Sequence, residues 1–420
     1  MIFSWFLLAL ISFSATQVIS TPSKRTYDTH NYYALEYFSG QSFGASLDEV
    51  ATMLGVEVVE QVGAFRDIWL VRAEKPREPL DNREESDDDL VISNFERLRV
   101  QAGSDITSRS EETLLAKRVV ASVTYLERQT LYEPVKRAPP PVAPSHTATA
   151  QEVADRLKLR DPLFTEQWHL VNDEHPENMM NTTPVWDMGF SGKGVLVSYI
   201  DDGLDDQADD LKDAFVRIAY FFPTAEVFFF DPSLLQDAEN SYDFNDHVKL
   251  PRPIGVRDHH GTRCAGQVAA RKNNACGVGI AYDSKAAGIR ILGGRITTTD
   301  EAAALVYGYD KVGIYSCSWG PRDNGQTMNA PNYIVRKAFS EGINNGRDGK
   351  GSIYVFASGN GGRHEDQCNF DGYTNSIYSV TVGAVDHTGL HPTYSEACAA
   401  NMIVAYSSGS GKHIVRVIHR

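Results

Sequence analysis

The chain has 420 residues, a length that favours two or three domains. Hydrophobic residues make up 42% of it and aromatic residues 10%, which is enough for a sizeable core and excludes a chain that is disordered throughout. The formal net charge of −15 argues against a protein that wraps nucleic acid and favours a basic substrate or a divalent cation as partner.

The first twenty residues predict the compartment. An apolar run from Ile2 to Ile11 is followed by small and polar residues up to Ser20. This order is typical of a signal peptide at 1–20, although the usual basic residues before the run are missing; a buried N-terminal strand or helix is the alternative. We therefore expect a protein of the secretory lumen, where disulfides persist. Because the number of cysteines is five, at least one thiol is free or has lost its partner.

A small α/β unit is predicted over residues 31–73. The segment Tyr32–Leu35 favours a strand, and Ser46 with Glu49 forms a capping box for a helix that Gly55 ends. The pattern is typical of a β-α-β-β unit and not of a functional site. The two remaining strands are predicted at Val56–Val62 and Ile68–Val71.

Two polar stretches follow this unit. Residues 74–112 are rich in charge and poor in apolar side chains, and we interpret 76–112 as an acidic, partly disordered loop; a specific acidic binding tract is the alternative. Residues 138–150 are rich in proline, which predicts an exposed linker, assigned to 138–155. The pair Lys136-Arg137 stands directly before it. Dibasic pairs are common by chance, so its position at a boundary makes it the candidate processing site.

From Asp161 onward, short apolar strands alternate with helical stretches. This alternation favours an open α/β fold with a parallel sheet, in which functional sites gather at the carboxyl ends of the strands. The predicted strands are Gly194–Ile200, Ile353–Ala357 and Ile377–Val382, and the predicted helices are Gly261–Arg271 and Asn332–Gly342.

Three motifs in this part carry chemistry. Asp201 directly follows a predicted strand, His260 lies in His-Gly-Thr at the start of a predicted helix, and Asn360 lies in Ser-Gly-Asn-Gly after another strand. Each residue alone is as easily structural as functional. In this order, however, they match the first part of an Asp…His…Ser acyl-transfer site of the subtilisin type.

The chain resembles the kexin-like proprotein convertases, a branch of the subtilisin-like serine proteases, and the fungal members most of all. The resemblance implies an α/β fold with a subtilisin-like parallel sheet flanked by helices, incomplete at its end, and a small α+β ferredoxin-like propeptide before it. It implies a calcium-dependent serine endopeptidase that cleaves precursor proteins after Lys-Arg or Arg-Arg in the late Golgi. The matching segments are Asp161–Phe164, Gln167–Leu170, Asp201–Asp205, His260–Gly266, Tyr315–Pro321, Ser358–Gly362 and Asp371–Tyr378.

The resemblance also implies roles for single residues. Asp201 would orient His260, which would act as general base and acid, and the Asn360 amide would donate to the oxyanion. Two pairs of carboxylates would bind the basic residues of the substrate. Asp323 and Asp371 would face the residue before the cleaved bond, and Asp202 and Asp258 the residue preceding it. Calcium, which prefers oxygen ligands, would be held by two sets, namely Asp323, Asp366 and Glu396, and Asp161, Asp210 and Asn274.

By the same resemblance, Cys368 would pair with Cys398 and Cys276 with a cysteine beyond this sequence, whereas Cys264 and Cys317 would be free. Residues 21–137 would be a propeptide that acts as intramolecular chaperone and inhibitor and is cut after Lys136-Arg137. The peptidase domain would span 156–420. The sequence Asn181-Thr182-Thr183 predicts N-glycosylation at Asn181.

The sequence departs from the family pattern in two ways. The nucleophile motif Gly-Thr-Ser does not occur, because the one Gly-Thr, at 261–262, is followed by Arg263. The encoded function is still the serine endopeptidase, but we expect the chain as written to be inactive. The rivals are a non-catalytic truncated product that acts at most as a binding or pseudoprotease module, and an unrelated α/β hydrolase or binding protein. The β-sandwich and membrane anchor of full-length kexins are also missing. Residues 216–236 form an atypical insert, and we interpret it and the tail 415–420 as translated introns; a real loop and a real short isoform are the alternatives.

Overall fold

The computed structural model describes residues 24–38, 44–75, 89–104, 110–136, 149–215 and 239–415. The predicted signal peptide 1–20, the insert 216–236 and the residues 416–420 of the tail lie outside the described residues. So do Arg137 and most of the predicted linker.

The N-terminal unit is a four-stranded antiparallel sheet covered by helices, in the spatial order β2-β3-β1-β4. The two outer strands, β2 and β4, flank the two central strands, β3 and β1, and helices connect β1 to β2 and β3 to β4. This is the ferredoxin-like arrangement, which confirms the predicted fold of this unit. Its elements are β1 (His30–Tyr37), α1 (Leu47–Leu54), β2 (Glu57–Gln61), β3 (Ile68–Glu74), α2 (Leu90–Ser104), α3 (Glu111–Ser122) and β4 (Val123–Arg128).

The limits of α1 follow from the predicted signals. The Ser46 side chain accepts from the Glu49 N–H, the Glu49 side chain accepts from the Ser46 N–H, and both bonds close the predicted capping box. Gly55 ends the helix in the left-handed region with φ +74°.

The prediction of a disordered loop over 76–112 is wrong for its central part. Residues Leu90–Ser104 form the helix α2, and α3 begins at Glu111. The helix is stable because Val91 and Leu98 are buried in the core of the N-terminal unit, with Phe95 packed against them. Its three charged residues, Glu96, Arg97 and Arg99, are exposed, and the dense charge of residues 84–89 just before it concealed the helix in a reading by composition. Residues 76–88 and 105–109 lie outside the described residues.

The predicted linker is also too long at its C-terminal end. Residues Gln151–Leu157 form the helix α4, so the folded chain resumes before residue 155. Ala150 and Ala154, one turn apart, are buried against Trp186 and its neighbours. The sequence did not predict this helix, because its buried face consists of small alanines and the proline-rich residues before it are polar, so no run of apolar residues at helical spacing is long enough.

The second unit is a parallel sheet of seven strands in the order β13-β12-β11-β9-β6-β8-β7. Helices flank it, which confirms the predicted α/β fold. The strands are β6 (Leu196–Asp201), β7 (Tyr242–Asp243), β8 (Lys285–Arg290), β9 (Ile314–Cys317), β11 (Ile353–Ala357), β12 (Ser379–Val385) and β13 (Asn401–Tyr406), and the helices are α5 (Thr183–Asp187), α6 (His260–Ala269), α7 (Thr298–Leu305) and α8 (Tyr333–Gly349), with 3₁₀ helices at Phe164–Glu166, Gly361–His364 and Cys368–Phe370.

The two units share one hydrophobic core. The cluster that contains Phe65 and Ile68 of the first unit also contains Tyr315, Phe339 and Tyr354 of the second. Ion pairs flank this core, from Lys337 of α8 to Glu36 and Asp67 and from Arg25 to Asp300 of α7.

A two-stranded ribbon forms a further link between the units. The strand β5 (Val135–Lys136) pairs antiparallel with β10 (Trp319–Gly320), with Lys136 opposite Trp319. The strand β10 directly follows β9, at the carboxyl edge of the large sheet. The end of the N-terminal unit therefore lies along the edge where a functional site is expected.

Candidate active site

Asp201 and His260 form a hydrogen-bonded pair at the carboxyl edge of the large sheet. Asp201 ends β6 and is 2% exposed, and His260 begins α6. The His260 Nδ1 atom lies 2.9 Å from both carboxylate oxygens of Asp201. Because a carboxylate only accepts, Nδ1 carries the proton and Nε2 carries the basic lone pair. This tautomer is the one that general-base catalysis needs.

The surroundings make His260 a strong base. Burial acts to lower the pKa of His260, whereas Cys264 and Asp201 raise it, and the net shift is upward. Burial also raises the pKa of Asp201, against the opposing effect of His260. The pair thus shares one proton at the contact between Nδ1 and the carboxylate. When His260 takes a second proton at Nε2, the Asp201 carboxylate stabilises the resulting imidazolium.

Asp202 has a structural role that sequence reasoning missed. It is fully buried, and its two oxygens accept from the backbone N–H groups of His260 (3.0 Å) and Gly261 (2.7 Å). These N–H groups at the start of α6 have no acceptor within the helix, and the helix dipole favours the negative charge. Asp202 therefore fixes the position from which His260 projects.

Gly261 permits the close approach of α6 to β6. A Cβ atom at this position would lie 2.4 Å from the carbonyl oxygen of Gly203 and 2.7 Å from the Asp201 Cβ atom. No larger residue fits without moving the helix. The glycine of the His-Gly-Thr motif is therefore a condition for the Asp201–His260 contact.

Asn360 lies at the carboxyl edge of strand β11, which β9 separates from β6. It precedes a 3₁₀ helix, and its backbone N–H donates to the Asp323 Oδ2 atom at 2.7 Å. The next N–H, of Gly361, donates to Glu396 at 2.9 Å. Since β11, β9 and β6 are adjacent and parallel, Asn360 lies on the same edge as the Asp201–His260 pair.

Three carboxylates lie together behind Asn360. Ligand oxygens of Asp323, Asp366 and Glu396 lie within 4.8 Å of one another, and the latter two residues are buried. Asp366 also accepts from the N–H of Gly325 at 2.9 Å. Oxygen donors from three loops at this separation fit a divalent cation of the Ca²⁺ type. The structure thus brings together the first predicted ligand set.

The two carboxylates of the second predicted ligand set, Asp161 and Asp210, lie near each other. Asp161 accepts from the backbone N–H of Asn273 at 3.0 Å, and Asn273 is the residue next to the predicted ligand Asn274. Within the described ranges, three of the four carboxylate oxygens of Asp161 and Asp210 are buried without a hydrogen-bond donor. Burial, together with the nearby Asp161, raises the pKa of Asp210 to about 6. Such orphaned oxygens suit a bound cation.

The predicted substrate carboxylates lie in different environments. Asp371 is 5% exposed and accepts from the Tyr373 N–H at 2.8 Å. Asp258 accepts from the Gly255 N–H at 2.9 Å and lies 3.6 Å from the Arg290 guanidinium. Asp371 is therefore a buried carboxylate fixed by its own turn, and the charge of Asp258 is already partly neutralised by Arg290.

Glu301 is a buried carboxyl group that sequence reasoning missed. It lies on α7, is 1% exposed and accepts from the Tyr373 hydroxyl at 2.5 Å. Burial and the nearby Asp371 raise its pKa to about 8. No motif marked it, because its neighbours in the sequence are alanines typical of any helix.

The cysteines and the sequon have the following positions. Cys368 and Cys398 form a disulfide, and Cys317 is a buried thiol of β9. Cys264, also a free thiol, has its Sγ atom 3.9 Å from both ring nitrogens of His260. Asn181 is exposed, as glycosylation requires. Within the described residues, we find no helix with the length and apolarity that a membrane span needs.

Comparisons with known proteins agree with this site. The family model described as "Subtilase family" matches residues 192–416. Kexin of Saccharomyces cerevisiae is 51% identical over 282 residues, or 66% of this chain and 32% of that protein. A dibasic-processing endoprotease of Schizosaccharomyces pombe is 43% identical over 321 residues, or 76% of this chain and 42% of that protein. The chain thus spans a minor part of these relatives' length.

Among solved structures, fervidolysin from Fervidobacterium pennivorans, described as a keratinolytic enzyme related to subtilisin, is similar in fold. The TM-score is 0.53 at 15% identity, and the match covers 96% of this chain and 52% of that one. This similarity supports the fold alone.

Proposed function

The chain belongs to the subtilase family and is kexin-like, and from this premise we propose that it is part of a calcium-dependent serine endopeptidase that cleaves precursor proteins after paired basic residues. The observation that carries the proposal is the contact between His260 Nδ1 and the buried Asp201 carboxylate at 2.9 Å. The S. pombe relative is a dibasic-processing endoprotease, which supports the substrate class.

In the proposed reaction, His260 Nε2 takes the proton of a serine hydroxyl as the serine attacks the scissile carbonyl, and later gives it to the leaving amine. Asp201 keeps the ring in the required tautomer and stabilises its cation. The Asn360 amide donates to the oxyanion. The serine is not in the family's Gly-Thr-Ser context anywhere in these 420 residues, so this stretch contributes the base, its orienter and the oxyanion donor.

The ribbon of β5 and β10 supports a mode of substrate binding. An extended chain that adds to Trp319–Gly320 receives main-chain hydrogen bonds irrespective of its sequence. The backbone of Lys136, the first residue of the candidate processing pair, already lies in this register. We infer that a substrate takes the place of β5 and that residues 21–137 are a propeptide, acting as intramolecular chaperone and inhibitor, released by cleavage after Lys136-Arg137.

Specificity for basic residues is assigned to carboxylates near this strand. Asp371 and Asp323 would bind the basic side chain before the cleaved bond, and Asp202 and Asp258 the one preceding it. The positive charge of a substrate Lys or Arg would offset the free-energy cost of burying these carboxylates. Asp323 and Asp202 each also accept from backbone N–H groups, which fixes the position of their carboxylates.

Calcium is the proposed cofactor at the two carboxylate sets. Asp323, Asp366 and Glu396 would hold one ion behind Asn360, and Asp161 and Asp210, with an oxygen of the Asn273–Asn274 loop, the other. A bound ion supplies positive charge that neutralises these carboxylates and stiffens their loops. The compartment we propose is the secretory lumen, in the late Golgi.

The test compares two chains on peptides that end in Lys-Arg or in Ala-Ala before the reporter group. A chain extended through a serine-bearing segment should cleave the Lys-Arg peptide, require Ca²⁺ and ignore the Ala-Ala peptide. Residues 1–420 alone should not cleave either. Equal cleavage of both peptides would contradict the specificity, and cleavage by residues 1–420 would contradict the assignment of the nucleophile.

A second candidate function rests on the missing Gly-Thr-Ser motif. The strand-binding edge at β10 and the carboxylates are present in these residues, so a chain without a nucleophile would still bind dibasic peptides as a pseudoprotease. Equilibrium binding of a Lys-Arg peptide by residues 1–420, with no turnover, favours this role. Absence of peptide binding would exclude the pseudoprotease role.

A further inference from the structure

A second group of metal-ligating side chains lies outside the active site and both carboxylate sets. It consists of Glu174 and His175, in the loop after the first 3₁₀ helix, and of His387, directly after β12. One ligand atom from each residue lies within 4.8 Å of the other two. The rings of His175 and His387 meet edge to face with their centroids 5.8 Å apart.

His387 is the buried member of this group. It is 7% exposed and packs edge-on against Trp168 at 5.8 Å. Its Nδ1 atom is buried and, within the described residues, makes no hydrogen bond. A buried ring nitrogen without a partner is costly, and a metal ion or a proton shared with a ligand removes that cost.

A buried asparagine holds the two histidines in place. The Asn172 side chain, 2% exposed, accepts from the His175 N–H at 3.0 Å and donates to the His387 carbonyl at 3.2 Å. The two histidine backbones are therefore fixed relative to each other without a metal. Such preorganisation by an outer partner is typical of metal sites, where it orients the ligands.

We propose that Glu174, His175 and His387 bind a divalent transition metal of the Zn²⁺ class. Imidazole nitrogens with one carboxylate suit Zn²⁺ and do not suit Ca²⁺, which prefers oxygen ligands only. Three protein ligands and a water complete a tetrahedral site. Ligand atoms of such a site are about 3.4 Å apart at bond lengths near 2.1 Å. The half-exposed side chains of Glu174 and His175 can close the remaining distance by rotation.

Lys412 is the competitor for this metal. Its ammonium group contacts Glu174 and is 9% exposed. Metal binding must displace the ammonium from that carboxylate. Removing the charge in a Lys412→Met variant should therefore tighten Zn²⁺ binding.

The experiment titrates the 420-residue chain with Zn²⁺ in saturating Ca²⁺, which keeps the oxygen-rich sets filled. All variants carry Cys264→Ser, because Asp201, His260 and Cys264 form another group that could bind Zn²⁺. Bound zinc is measured by calorimetry and the thermal shift it causes. We expect one Zn²⁺ per chain, and an affinity at least about 10-fold lower in His387→Gln and in His175→Gln. The control His391→Gln changes an exposed histidine outside the group and should bind as the parent does.

Since His387 is buried, His387→Gln is compared with its parent by unfolding without Zn²⁺, and the more exposed His175 provides a variant that keeps the core intact. Co²⁺ added to the Cys264→Ser chain should give ligand-field bands without a thiolate charge-transfer band. No binding, equal binding by all variants, or a thiolate band as the main signal would each overturn the proposal.

Discussion

At the scale of single residues, three neighbours in the fold make the candidate base. Asp201 sets the tautomer of His260, Asp202 anchors the first turn of α6 through two N–H groups, and Gly261 permits the approach. The roles of Asp201 and His260 could be predicted from motif order, because the chemistry depends on residue type. The role of Asp202 could not, since its partners lie 58 and 59 positions away and only the fold brings them together.

Asp202→Ala should lower the free energy of unfolding by about 1–3 kcal/mol, because two buried N–H groups of α6 lose their acceptor. Urea unfolding measures the effect. The control Asp209→Ala removes an exposed partner of Lys212 and should change stability by less than about 0.5 kcal/mol. Equal effects of the two substitutions would contradict the capping role.

Glu301 predicts how stability depends on pH. Its pKa is raised from 4.5 to about 8, so the folded chain holds a proton that the unfolded chain releases. The stability from this group is complete below pH 4.5 and is lost as the pH rises through about 8. Glu301→Gln should flatten the loss of stability between these values, as measured by urea unfolding at a series of pH values. If the stability of the variant falls with pH as steeply as that of the parent, groups other than Glu301 cause the pH dependence.

At the scale of elements, strands and capped helices could be predicted where the signals are local. The strand Ile353–Ala357 has the predicted bounds, and Ser46 and Gly55 delimit α1 as expected. The helix α2 could not be predicted from composition, because a few buried side chains stabilise it and it directly follows a densely charged stretch. The role of Asn274 as a ligand stays a prediction, because the described contact of its loop with Asp161 comes from the Asn273 N–H and one residue of register in a loop has no signature in the sequence.

The Cys368–Cys398 disulfide joins the 3₁₀ helix near the predicted pocket to the segment before β13, 30 residues later. Its removal in the double variant Cys368→Ser/Cys398→Ser should lower the free energy of unfolding by about 3–4 kcal/mol, from the entropy of a loop of this length. Urea unfolding with and without a reductant measures this. The reductant should bring the parent to the stability of the double variant and leave the variant unchanged; a large effect on the variant would contradict the assignment.

Across the whole molecule, the N-terminal unit and the large sheet act as one body, with a shared core, ion pairs and the ribbon of β5 and β10. The ferredoxin-like and subtilisin-like parts could be predicted from the resemblance. Their mutual packing could not, because contacts such as Glu36 with Lys337 join positions about 300 residues apart and have no local pattern.

The Glu36–Lys337 pair should hold the N-terminal unit on α8. Glu36→Gln leaves the partly buried ammonium of Lys337 with Asp67 alone, and we expect faster amide hydrogen exchange in β5 and β10 as the unit opens more often. Glu57→Gln, which removes an exposed partner of Arg72 within the N-terminal unit, is the matched control. Unchanged exchange in Glu36→Gln would contradict the role of the pair.

The central claim is that Asp201 and His260 are the orienter and base of a peptidase for paired basic residues. The most direct measurement is the turnover of a Lys-Arg peptide by a chain extended through its serine-bearing segment, with and without Asp201→Asn. The claim predicts that the substitution lowers kcat by about 10⁴-fold with little change in KM, because His260 takes the wrong tautomer. Turnover of the Asp201→Asn variant at the parent's rate would contradict it.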